Sequence, residues 1–492
     1  MTAPVPEKRG PGSEQLVGAV RGALAWSALN NLVGRVGSSV VGIVLARLLV
    51  PEDYGVYAVA LVVVGALLSL NELGVSLAIV RWPGRVDRIA PTVATIALAS
   101  SALLYLACFL LAPAAAAAMG SPQAAPVLRT LALGVLIDAA TAVPAGLMTR
   151  GFLQRRRLVI DTLAFAASSG VSLGLAAGGN GAWSLAWGSL LGNAVSAVLI
   201  VLWCPQRVVP GFDVTVCREL FAFGVPLAGA SALVFAMLNV DYVVVGSRLG
   251  PVALGLYLLA FNLSSWPVNM FSSPVRRVSM PGFARLQDDP ERVAEVFARA
   301  VALLLAATLP VCLLIALLAR PLVEVVYGTT WSASARVLPF LAVLAVVRVL
   351  VELGYDLLVA LGRARANLGV QALWLLALIP ALLFGAGHGG IAGIGRAHAL
   401  VAVLVAVPAC TVMVSRVGVS LRRVGGLLVR PALGLVLAAV GIVVALHLVQ
   451  DPLAQLFTSA VVTLICYAPV VAPMRRLVRP DPAPAPTRLA VA

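Results

Sequence analysis

The sequence predicts an all-α polytopic membrane protein of about 14 transmembrane helices, in two pseudo-symmetric six-helix lobes plus two C-terminal helices. Three observations predict it. Of 492 residues, 61% are hydrophobic and only 11% charged, and the mean hydropathy is +1.02. A soluble fold cannot hide that much apolar surface, and apolar runs of about 20 residues, enough to cross a bilayer, recur along the chain. The basic residues gather in alternate connections, and a segment near residue 50 recurs about 200 residues later.

Spans are predicted near 23–47, 54–80, 89–112, 126–149, 158–178, 182–203, 219–247, 252–275, 296–319, 333–361, 366–386, 390–414, 427–449 and 453–473. With the N-terminus inside, the cytoplasmic segments hold 27 of the 35 Lys and Arg residues, including Arg155, Arg156 and Arg157 in one loop. The opposite connections hold Arg47, Arg248, Arg320 and Arg336. This is the positive-inside pattern, and it places both termini in the cytoplasm. It also accounts for the net charge of +15 without nucleic acid as a partner. The first apolar run lacks a small-residue cleavage site, so no removable signal peptide is expected. The alternating ten-residue pattern of a membrane barrel is absent.

The repeat lies in 46–81, ARLLVPEDYGVYAVALVVVGALLSLNELGVSLAIVR. Its Arg47-Leu48, Pro51, Gly55 and Tyr57 return as Arg248-Leu249, Pro251, Gly255 and Tyr257, with the Pro-to-Gly and Gly-x-Tyr steps unchanged. Two halves of similar architecture follow, a plan used by transporters whose substrate path runs between the halves. The expected organisation is a cytoplasmic tail at 1–15, an N-lobe at 16–205 and a linker at 206–218. A C-lobe at 219–417, two further spans within 418–476 and a disordered cytoplasmic tail at 477–492 follow.

The polar residues inside spans are the candidate site residues. In the first span Asn31, Arg35 and Ser38/Ser39 follow i, i+4, i+7/i+8 spacing and form one stripe. An Arg near mid-span either pairs with a carboxylate on a neighbouring helix or faces a water-filled cavity as a receptor for an anion. Glu72, at the break after the second span, either snorkels or pairs with Arg81, or takes part in ion coupling. Asp138 precedes Pro144, where a kink is expected, and Asp241 follows Pro226, where another is expected. Asn262, Trp266, Asn269, Ser273 and Arg276/Arg277 step by three or four, a polar-aromatic face suited to a cavity wall. Asp288, Asp289, Pro290 and Glu291 are a helix start before the ninth span. The segment 320–331 reads as an external aromatic loop. Arg348, Glu352 and Asp356 at i, i+4, i+8 allow one helix face to satisfy its own charges. Arg396 lies in the twelfth span after a glycine-rich turn, close to His398.

Cys108, Cys204, Cys217, Cys312, Cys410 and Cys466 are scattered without a C-x-x-C, and the three histidines lie far apart, so neither a disulfide framework nor a metal site is expected. No nucleotide motif is present, and the expected external loops are too short for a catalytic domain, so the chain reads as a carrier and not an enzyme. No cofactor is expected, with coupling to H+ or Na+ open.

LARLLVPEDYGVYAVA followed by LGVSLAIVR resembles the opening signature of bacterial polysaccharide and O-antigen flippases. These belong to the multidrug/oligosaccharidyl-lipid/polysaccharide exporter superfamily. DYVVVGSRLGPVALGLYLLAFNL, SMPGFARLQDDPERV and YGTTWSASARVLPFLAV are similar to the second half of that family, most of all to exporters of colanic-acid and teichuronic-acid type. The resemblance covers about 20–360. It implies two six-helix lobes around a central cavity, alternating access, and an undecaprenyl-diphosphate-linked oligosaccharide moved from the inner to the outer leaflet of the cytoplasmic membrane. The implied partners are that lipid-linked oligosaccharide, the bilayer, and the polysaccharide polymerase and glycosyltransferases.

Under this reading Arg35, Asn31, Asn262, Trp266, Asn269 and Arg396 line the substrate cavity, and Asp241, Glu72 and Asp138 are candidates for ion coupling. Arginine suits a diphosphate because its planar fork binds phosphate oxygens in pairs. A peptidoglycan-precursor flippase is the nearest alternative. A cation-coupled drug exporter, using Asp241, Glu72 and Trp266, or a non-transporting scaffold, are the others. The topology is checked by cysteine labelling. Positions 120–123, 179–180 and 387–389 are expected to react from outside and 86, 155, 286 and 420 from inside; inside reaction at 387–389 breaks the span count.

Overall fold

Long helices joined by short turns make up the structure, a computed structural model that describes residues 26, 30, 34–71, 79, 86–151, 153–204, 206 and 209–474. Every regular element among these residues is helical, and eleven helical stretches are long and apolar enough to cross a membrane. The chain begins with α1 (34–48), then α2 (Pro51–Asn71), α3 (Ala90–Ala118), α4 (Ala124–Arg150), α5 (Gln154–Ala177) and α6 (Ala182–Trp203). There follow α7 (Val214–Ser264), a π-helical turn (Val268–Ser272), α8 (Ser273–Arg285), α9 (Pro290–Leu317) and α10 (Ala319–Tyr327). A 3-10 segment (Thr329–Arg336) leads into α11 (Leu338–Ala360), and α12 (Ala364–Val401) runs through a second π turn (Ala402–Ala406) into α13 (Val407–Ser415). The last two are α14 (Leu421–Leu448) and α15 (Pro452–Val471).

The starts follow from local chemistry. Asp289 accepts the Arg292 N–H at 3.1 Å with Pro290 behind it, as the sequence predicts. Asp451 accepts the Ala454 N–H at 2.8 Å in the same way. Two runs exceed any bilayer: at about 1.5 Å per residue, the 51 residues of α7 and the 38 of α12 outreach a core about 30 Å thick. Each is interrupted at glycine, α7 at Gly250 (φ 83°, ψ −179°) and α12 at Gly389 and Gly390 (φ 54°, ψ −139°). The positive φ at Gly250 and Gly390 is what a side chain would strain.

Helices α7 and α4 continue through Pro226 and Pro144, the non-helical dihedrals of α7 falling at Gly250, and Asp138 is exposed. One local expectation changes. The expected loop at 320–331 is α10 and part of the 3-10 segment. An Arg320–Glu324 pair at 2.8 Å supports the helix, while Val323, Tyr327 and Trp331 are buried beneath it.

The chain divides into two compact units, Met1–Leu256 and Tyr257–Ala492. In the first, α3, α4 and the start of α7 share a core of Ile89, Val93, Val143, Val216 and Leu220. The segment 206–218 lies in this unit, fastened to α3. The Gly211 N–H reaches the Pro91 carbonyl at 3.2 Å, Thr95 Oγ1 donates to the Gly211 carbonyl at 2.8 Å, and the Asp213 N–H reaches Thr92 Oγ1 at 3.1 Å. The backbone N–H groups of Val216 and Thr215 hold the Asp213 carboxyl below the usual carboxylate range.

The repeated motif finds its reason here. A Cβ on Gly55 would run into the Pro251 carbonyl, and a Cβ on Gly255 into the Pro51 carbonyl. The two copies therefore cross reciprocally, each glycine seated on the proline that opens the other helix. Beyond the crossing, Tyr57 shares a hydrogen bond with Ser189 of α6. The α5–α6 pair is equally close, with Gly188 and Gly192 pressed on Ser172 and Ser168.

In the second unit α11 is the centre, packed by α8, α9, α12 and α13 and by both π turns. The α14–α15 pair rests on α9, where the Tyr467 hydroxyl donates to the Ala306 carbonyl at 2.8 Å. Its outer surface is apolar and exposed at Leu437, Val440, Val444, Phe457 and Leu464, as a lipid-facing surface should be. Substitution tests the crossing. Gly55→Ala and Gly255→Ala are each expected to lower stability in detergent by about 1–3 kcal/mol, through overpacking. Gly42→Ala on α1, with nothing within 4 Å, is expected to be neutral or mildly stabilising. Unchanged melting of both crossing variants would show that the backbones separate freely.

Candidate functional site

The predicted site residues occupy different surroundings. Arg35 is exposed on α1, and its carbonyl accepts the hydroxyls of Ser38 at 3.1 Å and Ser39 at 2.9 Å, so the serines of the stripe bond backbone. Asn31 and Glu72 lie outside the described residues. Asn30 Nδ2 donates to Asp161 Oδ2 at 2.7 Å, and Arg157 lies 3.6 Å from the same carboxylate, which ties the first span to α5. Asp138 is exposed; Asp241 is 1% exposed, and its Oδ1 accepts the Tyr242 N–H at 3.0 Å.

In the second unit Asn262, Trp266 and Asn269 are all exposed along one face, from the end of α7 into the π turn. Arg396 is exposed on α12, with its guanidinium carbon 5.6 Å from the centre of the Phe340 ring. A depression of about 510 Å³ beside α10 is lined by Arg320, Ser332 and Arg336, and none of the predicted site residues lines it.

The densest group of charges surrounds α11. Arg276 Nε and Nη2 bind the two oxygens of Asp356, both at 2.9 Å. Asp356 is 2% exposed, so this fork closes it off. Glu352, one turn earlier, accepts the Ser272 hydroxyl on Oε2 at 2.6 Å. It lies 3.9 Å from Arg276 Nη1 and 3.9 Å from Arg348 Nη2, too far for a hydrogen bond to either. Arg348 reaches Ser265 Oγ at 3.4 Å and lies 5.5 Å from the Phe261 ring centre.

This corrects the expectation that one face of α11 satisfies its own charges. Two carboxylates one turn apart outnumber the single Arg348, and the missing cation comes from α8. The signal was in the sequence, since the stripe from Asn262 ends at Arg276. The 80-residue separation of its partner was not. What the group provides is a closed pair, Arg276–Asp356, next to a loose one, Arg348–Glu352.

Eleven helical stretches long and apolar enough to cross a membrane define a multi-span membrane protein. The family model described as "Polysaccharide biosynthesis protein" matches residues 44–336, and the chain belongs to that family. It is 25% identical over 401 residues to the lipopolysaccharide biosynthesis protein WzxC of Escherichia coli (strain K12), covering 80% of each chain. It is 28% identical over 326 residues to the succinoglycan biosynthesis transport protein ExoT of Rhizobium meliloti (strain 1021), covering 65% of each. Among solved structures, the lipid II flippase MurJ in an inward closed conformation has a TM-score of 0.76 at 12% identity, over 93% of this chain and 100% of that one. An inward-facing multidrug transporter of the MATE family has a TM-score of 0.62 at 16% identity, over 80% and 99%. These structures share the fold.

The closed pair makes a stability prediction. Arg276→Ala leaves Asp356 buried without its cation and is expected to cost about 3–5 kcal/mol. Adding Asp356→Asn is expected to restore most of that loss, read as melting temperature in detergent. Additive losses would show that the pair is not a unit.

Proposed function

We propose that the protein is a flippase that carries an undecaprenyl-diphosphate-linked oligosaccharide, a polysaccharide repeat unit, from the inner to the outer leaflet of the cytoplasmic membrane by alternating access. The observation that carries this reading is an arginine halfway along a membrane-crossing helix, Arg348 on α11, in a chain of the polysaccharide biosynthesis family. A cation there is costly unless it is paired or faces a path for charge, its pair with Glu352 is a loose one, and a lipid-linked diphosphate is a membrane substrate with a matching charge. The names of the WzxC and ExoT relatives support the polysaccharide pathway.

The finer architecture belongs to this proposal. The glycine interruptions divide two of the eleven candidate stretches, and α1 precedes them, in keeping with 14 spans in two six-helix lobes with the last two appended. Both termini are then cytoplasmic, as the basic residues require. Arg35, Asn31, Asn262, Trp266, Asn269 and Arg396 line the substrate path. Asp241, Glu72 and Asp138 are the first candidates for coupling to H+ or Na+, and no other cofactor is needed. The polymerase and glycosyltransferases act on the same substrate before or after it crosses. The protein moves this substrate and does no covalent chemistry on it.

The MurJ-like fold favours one second reading, a peptidoglycan-precursor flippase. Gene deletion separates the two. Loss of surface polysaccharide with lipid-linked repeat units retained inside is expected, whereas cell lysis with retained peptidoglycan precursor would favour the alternative. In the complemented strain, Arg35→Ala is expected to abolish export at normal folded yield and Arg35→Lys to keep part of it. Normal export from folded Arg35→Ala would remove Arg35 from the path.

A further inference from the structure

The two ion pairs on α11 differ in a way that a purely structural network would not need. Arg276 and Asp356 meet through two hydrogen bonds of 2.9 Å. Arg348 and Glu352 are 3.9 Å apart, balanced in charge without a hydrogen bond between them. Arg348 has five N–H donors, and among the described residues its hydrogen-bond acceptor is Ser265 Oγ at 3.4 Å. Both members are open to approach, with side-chain exposures of 23% for Arg348 and 27% for Glu352. Phe261 and Ser265, which touch Arg348, each precede by one residue the exposed Asn262 and Trp266. The guanidinium therefore meets the helix on the face adjoining the one that carries Asn262 and Trp266.

We propose that Arg348–Glu352 is a displaceable ion pair, a site of coupled anion and proton uptake where a phosphate or diphosphate oxygen takes Arg348 and the released Glu352 takes up a proton from hydronium in the water that reaches it. This deepens the flippase reading and rests on it for the identity of the anion. Glu352 holds the place of the anion while the site is empty. An arriving diphosphate offers the geometry that Glu352 lacks, two oxygens for the planar fork. The displaced carboxylate keeps its Ser272 hydrogen bond but loses its share of Arg348, and a charged carboxylate at that depth is costly. Protonation removes the cost: one O–H bond forms on Glu352 as one O–H bond of a hydronium ion breaks, leaving a neutral carboxyl and a water molecule. Anion arrival is thereby tied to the uptake of one proton.

The charged and titratable groups around Glu352 suit this role. Arg276 from α8 is engaged by Asp356, and Tyr355 flanks Arg276 with its ring centre 5.8 Å from the guanidinium carbon. His398 of α12 is buried within electrostatic reach of Arg348, edge-on to Trp374, whose buried indole N–H has no partner among the described residues. Cys410 of α13 lies against Gly354. On α9, Glu295 and Arg299 pair with each other at 2.8 Å, and Arg336 of the 3-10 segment lies at the far end of α11. The π turn contributes Ser272, and such turns are frequent at functional sites.

The test uses the purified full-length chain in neutral detergent, with farnesyl diphosphate as the probe and a pH-sensitive dye in weak buffer. The wild type is expected to take up one more proton per bound probe than Glu352→Gln, a difference that cancels the titration of the probe itself. Arg348→Ala is expected to weaken binding about tenfold or more, with Arg348→Lys between. Melting temperatures of each variant separate lost binding from lost folding. Inorganic pyrophosphate, and nanodiscs of phosphatidylglycerol against phosphatidylcholine, assign the source of the anion. Proton exchange with phosphatidylglycerol at equal affinity supports the site and gives its anion to the bilayer. Equal proton uptake by wild type and Glu352→Gln, or unchanged binding by folded Arg348→Ala, overturns the proposal. Because gene deletion tests the flippase reading through export, either idea can fail without the other.

Discussion

Asp356 sets the terms for the second unit. A carboxylate shut away from solvent in a membrane-crossing helix must be neutralised at hydrogen-bonding distance, and the Arg276 fork does this with two 2.9 Å bonds. The fork fixes α8 against the C-terminal half of α11 and seats Ser272, one turn before Arg276, on Glu352. It also determines what is left over. With Arg276 committed, Glu352 and Arg348 face each other as a balanced but loosely joined pair, beside the face that carries Asn262 and Trp266. One strong interaction thus creates one weak one a turn away, and the weak one is where a ligand has something to gain.

Elsewhere the helices are joined by close backbone approach more than by large side chains. Among apolar lipid tails, burying a leucine brings little advantage, so small residues that let helices touch take over the role. Gly55 on Pro251, Gly255 on Pro51, Gly188 and Gly192 on the serines of α5, and Gly385 against Gly393 are all of this kind. The reciprocal crossing explains why proline and glycine recur at the same spacing in both copies of the motif. Proline opens each helix with its carbonyl toward the other copy, and only a residue without a side chain fits against it. In the second unit the same economy leaves α14 and α15 with an apolar outer surface, while Tyr467 anchors them to the α9 backbone.

On the proposed reading, a carrier of a charged lipid has to reconcile a stable membrane fold with a site that releases what it binds. The closed Arg276–Asp356 pair meets the first need, because its charges are matched without any ligand. The Arg348–Glu352 pair meets the second, since an internal carboxylate that stands in for an anion lowers the cost of an empty site and competes with a full one. In that arrangement affinity is set by a difference between two similar interactions, which keeps exchange reversible.

The sequence by itself determined the elements. Hydropathy and the distribution of arginine gave the helices, the interruptions between 247 and 252 and between 386 and 390, the cap at Asp289, and the family through its motifs, because each depends on residues close together in the chain. It misread 320–331 as a loop, since the burial of Trp331 under α10 is a tertiary fact. The exposed face of Asn262, Trp266 and Asn269 was legible as a periodicity. Only the tertiary structure decided which charges are partners. Arg348, Glu352 and Asp356 look self-sufficient along one helix, but two carboxylates carry one more charge than a single guanidinium balances, and the cation that completes them, Arg276, stands 80 residues from Asp356. Spacing along a helix fixes which side chains share a face; which face meets another is settled by packing, and with it whether an intramembrane charge is closed off or left exchangeable.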